Sequence, residues 1–174
     1  MARASYPGLD EFNVTIGTWI TFLDQYTLAM LCQQPRPGSW SLGQVYRHIT
    51  DDTKWYVEQM EQALATDSNS EKDMHEDAKA IFANNGFPDQ MIEGPATNTF
   101  IPQPQSKEEI KEEMLSIKET VNKLFSTPTA VQAKGKTQHP GLLFFSAEEW
   151  LRFAEIHMRH HFRQKKRIDE QILA

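Results

Sequence analysis

A chain of 174 residues, 39% hydrophobic and 24% charged, is long enough for a real core and too apolar to read as disordered. Its formal net charge of −6 argues against a nucleic-acid partner, because neutralising phosphates needs a basic surface. No unbroken apolar run approaches the ~20 residues a membrane span needs. Cys32 is the only cysteine, so no internal disulfide and no multi-thiolate zinc site can form. Residues 1–11 lack the apolar stretch of a secretory leader, and a single cytoplasmic domain over residues 1–174 is the expectation.

The first predicted helix covers about residues 10–33. Phe12, Ile16, Trp19, Ile20, Leu23, Tyr26 and Met30 recur at helical spacing, and Pro35, Pro37 and Gly38 stop the pattern. Cys32 reads as a small buried apolar residue. The second helix starts near Ser41 and runs to about residue 65 on a stripe of Leu42, Val45, Ile49, Tyr56, Met60 and Leu64. A shorter helical pattern follows within residues 70–84. Gly86, Pro88, Gly94, Pro95, Pro102 and Pro104 then mark an irregular passage.

The third helix opens with Ser106 and Glu109 in capping-box spacing and continues through Ile110, Met114, Ile117, Val121 and Leu124. The fourth opens the same way, with Ser146 and Glu149, and reaches about residue 171. The cluster Arg163, Lys165, Lys166 and Arg167 lies late in it, where cations meet the negative end of the helix dipole. No segment shows sustained two-residue alternation with hairpin turns, so essentially no sheet is expected. The fold class predicted is all-α: a four-helix bundle. The link between its second and third helices, about forty residues (66–105), far exceeds the usual 2–8 and must cross or cover the bundle.

Chemistry concentrates in the last helix. His157 and His161 are four apart, which puts both rings on one face, about 6 Å apart along the axis. The apolar arc is set by Trp150, Leu151, Ala154, Met158, Ile168 and Ile172. His161 lies near its centre, His157 about 50° aside and His160 about 110° away. The i,i+4 pair therefore faces inward. Two desolvated imidazoles on one face need polar partners, which a single metal or two separate hydrogen bonds could supply. In the second helix His48 lies about 105° from the centre of its stripe, and Asp52 about 65°. His139 precedes a proline and sits in a loop, and His75 reads as exposed.

Two stretches carry a resemblance: Trp40-Ser-Leu-Gly-Gln-Val-Tyr-Arg-His48, and His157-x-x-x-His161-x-x-Gln164. With them the chain resembles the DinB/YfiT-like superfamily of four-helix-bundle metal-dependent proteins. His139-Pro-Gly, Ser146 and Glu149-Trp150 resemble one subfamily of that group. The resemblance implies a divalent metal, zinc or nickel foremost, held by His48, His157 and His161 with coordination positions left open. Asp52, His139 and Gln164 are then candidates for supporting or substrate-side roles. Some members are thiol-dependent transferases or isomerases that use a low-molecular-weight thiol. The function expected is a metal-dependent transferase or hydrolase acting on a small-molecule substrate. The alternative is a non-catalytic stress-response or binding module with a structural or vestigial metal. Bundles of this kind often pair through a helix face, which leaves a homodimer open.

Overall fold

The computed structural model describes residues 6–88 and 100–174; the first five residues, and the part of the long link that carries Gly94 and Pro95, lie outside the described residues. Four long helices form a bundle: α1 (Leu9–Phe22), α3 (Leu42–Leu64), α5 (Lys107–Leu124) and α7 (Ala147–His160). Between α1 and α3 lies α2 (Leu28–Cys32), and between α3 and α5 lies α4 (Glu76–Ala83). After α5 come α6 (Pro128–Gln132), β1 (Lys136–His139) and β2 (Leu143–Ser146), and α8 (Phe162–Ile172) ends the chain. α7 packs on α1 and α3, and α5 packs on the same two from the other side, so the bundle closes in the order α1–α7–α3–α5. The all-α expectation holds.

The first predicted helix is two helices. After α1 the chain makes a 3-10 turn at Leu23–Gln25, Tyr26 is extended, and the Thr27 hydroxyl accepts from the Met30 N–H to cap α2. The apolar spacing runs through this break because Leu23, Tyr26 and Leu31 all still face the core. The extended backbone lets Tyr26 donate to Asp169 of α8 at 2.6 Å.

α3 starts where predicted, with Ser41 and Gln44 forming a full reciprocal capping box. The end of the long link is tied there: Ser41 Oγ donates to Gln103, and Gln44 Nε2 donates to the Ile101 carbonyl. Gly43 permits this approach, since a Cβ there would overlap the Pro104 ring and the Leu31 carbonyl. At α5 only half of the expected box forms. Ser106 accepts from the Glu109 N–H, while its hydroxyl donates to Glu108. At α7 the box of Ser146 and Glu149 is complete.

The absence of sheet needs correcting. β1 and β2 form an antiparallel hairpin in the register Lys136↔Ser146 to His139↔Leu143. Four-residue strands are too short to display alternation, and β2 runs directly into the cap of α7. The hairpin leans on α3 and the start of α7.

The last predicted helix is interrupted at His161, which separates α7 from α8. The helical partner of the Met158 carbonyl would be the Phe162 N–H, but that carbonyl accepts from the Trp19 indole at 3.1 Å. The Phe162 ring in turn stacks on Trp19, with centroids 4.9 Å apart. Tyr46 packs edge-on against Trp19, and Phe12, Ile16, Ile49 and Trp150 elsewhere in the core are likewise fully buried. Among the described residues no helix is long and apolar enough to cross a membrane.

Candidate metal centre

His48 comes from the second turn of α3, His157 from the last turn of α7, and His161 from the break between α7 and α8. Because α3 and α7 pack side by side, the three rings meet. Nε2 of His157 lies 3.2 Å from Nε2 of His48 and 3.2 Å from Nε2 of His161. The ligand-type atoms of all three fall within 4.8 Å of one another, a grouping that could hold a metal ion. His48 and His157 are buried, and His161 is half-buried. His157 is the deeper of the pair, although His161 lies nearer the centre of the apolar arc. The interruption at His161 ends the regular rotation on which the phase rested.

Burial pushes the His48 imidazole down to about 4. For His161 burial, and then the neighbouring His48, push it down to about 3 against the opposing effect of the hydrogen bond it donates to Gln164. His157 is driven well below the usual range, first by burial and then by His161 and His48. All three are therefore neutral at pH 7, and each ring offers one lone pair.

Gln164 decides which lone pair His161 offers. His161 Nδ1 donates to Gln164 Oε1 at 2.8 Å, so its Nε2 faces His157 as a bare acceptor. His157 cannot answer both neighbours, since one Nε2 carries either a proton or a lone pair. Its Nδ1 is buried with no hydrogen-bond partner among the described residues. Hydrogen bonding among the described residues therefore leaves the cluster short of donors. A cation would supply what is missing. Two nitrogens bound tetrahedrally at about 2.0–2.1 Å stand about 3.3 Å apart, close to both separations here. The residues fit a divalent metal.

Asp52, one turn after His48, brings Oδ2 to 3.6 Å from Nε2 of both His48 and His157. Its carboxyl is pushed up to about 6 by burial and by Asp51, against a hydrogen bond from Tyr56. The reading of α3 overlooked Tyr56 as a site residue, although its i,i+4 spacing from Asp52 signals the contact. The Trp40 ring packs 5.3 Å from His48. Phe87 faces His160 at 5.1 Å and His157 at 6.5 Å.

His139 stands apart from the three. Its Nδ1 accepts from the Gly141 and Leu142 N–H groups, and its ring packs among Phe145, Trp150 and Phe153. It closes the hairpin turn. His75 is exposed and caps α4 by accepting from the Asp77 N–H. A cleft of about 470 Å³ opens elsewhere on α7, lined by Glu11, Asn85, Arg152, Glu155 and Arg159. Within it Arg159 is bonded to Glu155 and Asn85.

No curated protein and no solved structure matches the chain. A family model described as the DinB superfamily matches residues 11–164. That span holds His48, Asp52, His157, His161 and Gln164, and the chain belongs to the DinB superfamily.

Proposed function

We propose that this protein is a divalent-metal-dependent enzyme acting on a small molecule, with His48, His157 and His161 as the metal's protein ligands. One observation carries the reading: three neutral imidazoles cluster with His157 Nε2 3.2 Å from the Nε2 of each of the other two, and too few protons to satisfy each other. Zinc and nickel both accept nitrogen donors of this kind. When bound, such a cation supplies Lewis acidity that acidifies a water or a low-molecular-weight thiol. The chain's own residues do the rest. Gln164 fixes the His161 tautomer, α3 and α7 hold the other two rings, and Trp40 and Phe87 provide apolar walls that limit water. The reaction class proposed is thiol transfer or hydrolysis.

The test is elemental analysis of protein purified without a polyhistidine tag, followed by an activity screen with thiols and hydrolysable esters and amides. About one equivalent of metal is expected in the wild type, and under a tenth of that in His157→Ala. Wild type and His157→Ala with equally low metal content would remove the reading. A second reading, a binding module with a closed structural metal, draws on the nearness of Asp52 Oδ2 to two of the ring nitrogens. Metal bound at one equivalent with no turnover across the screen would favour it.

A further inference from the structure

Asp52 is placed in a way its protein neighbours do not explain. Its Oδ2 lies 3.6 Å from Nε2 of His48 and of His157, too long for a hydrogen bond to either. The adjacent Asp51 repels it, and the Tyr56 hydroxyl donates to it. Among the described residues no lysine or arginine is ion-paired with it. A carboxylate leaning toward a cluster of imidazole lone pairs is poorly placed in a metal-free protein. In a loaded one it is well placed, because 3.6 Å is near the about 3.3 Å between neighbouring donors of a four-coordinate centre. Asp52 is also half-exposed, so solvent reaches its carboxyl.

We propose that Asp52 is the fourth protein donor of the metal centre, anchored by Tyr56 and displaceable from its exposed side by an incoming small molecule. The proposal rests on the reading that the three histidines hold a divalent cation. It adds one negatively charged oxygen donor to three nitrogens. A ligand entering the site then competes with a carboxylate that Tyr56 can retain nearby.

Cobalt(II) serves as the probe, since its visible spectrum reports coordination. Tag-free wild type, Asp52→Asn, Asp52→Ala and Tyr56→Phe are stripped of metal and titrated with Co2+ against a chelator of known affinity. Both Asp52 variants are expected to bind Co2+ about 10–100-fold more weakly, with altered absorption bands. Their metal-free melting temperatures should stay level or rise, because an unmatched carboxylate has gone. Tyr56→Phe should weaken binding by a smaller factor. Equal affinity and superimposable spectra in wild type and both Asp52 variants overturn the proposal while leaving the histidine site standing. Weaker binding that merely tracks a loss of metal-free stability also overturns it, since Asp52 would then be a structural residue. Wild type that takes up no cobalt, nickel or zinc removes this proposal together with the reading beneath it.

Discussion

His157 shows how far burial governs single residues here. It is enclosed by Tyr56, Phe87 and the two partner rings, and its Nδ1 meets no hydrogen-bond partner among the described residues. The same desolvation sets the pH response of the metal-free protein. Unfolded, a histidine titrates near 6.5; folded, His48 and His139 are held at about 4 and His161 at about 3. Between pH 6.5 and 4 the unfolded chain therefore binds protons that the folded protein refuses. Stability from these groups is complete above 6.5 and is lost as pH falls, at about 1.4 kcal/mol per pH unit for each proton. Asp52 works the other way. With its folded value raised to about 6, the folded protein takes up that proton first and offsets part of the loss between about 6 and 4. More histidines than carboxylates are shifted, so the net effect is destabilisation in acid. Urea unfolding of metal-free protein at pH 7.5 and 5.0 checks this, and equal or greater stability at pH 5.0 would contradict it.

Among the elements, the junction of α1 with α7 and α8 matters most to the site. Trp19 is fully buried, donates to the Met158 carbonyl at 3.1 Å, and stacks on Phe162. That single side chain marks where α7 ends, and so where His161 lies. Trp19→Ala should cost about 3–5 kcal/mol through the cavity left behind. Trp19→Phe retains most of the volume and loses the indole donor. Chemical denaturation gives the stability of both, and Co2+ titration of Trp19→Phe tests the junction. A weaker, spectrally altered site in a folded Trp19→Phe is the expected outcome. Unchanged cobalt binding would show that the Trp19 hydrogen bond does not position His161. The periodicity of the last helix could not reveal this break, because the residue that competes for its hydrogen bond comes from α1, 139 positions away.

At the scale of the whole molecule, a metal bound only by the folded state stabilises it by mass action. At a free metal concentration 100 times the dissociation constant the gain is about 2.7 kcal/mol. Melting temperature should therefore rise on adding zinc or nickel to stripped protein and fall again with chelator. It should stay flat in His157→Ala, and scanning calorimetry checks both proteins.

The amino-acid sequence alone determined where α3, α5 and α7 begin, the caps of α3 and α7, and the i,i+4 pairing of His157 with His161. Each of these depends on contacts within a few residues: Ser41 with Gln44, Ser146 with Glu149, His157 with His161. Packing of elements distant in the chain decided the rest. His48 lies off the centre of its helix's apolar stripe, yet it is 6% exposed because α3 is covered by α5 on one side and by α7 on another. Its buried arc is wider than one stripe, and His48 occupies the α7 margin of it. A pattern read along α3 averages over both neighbours and assigns that margin to neither. Only the laying of α7 against α3 closes the gap to 3.2 Å.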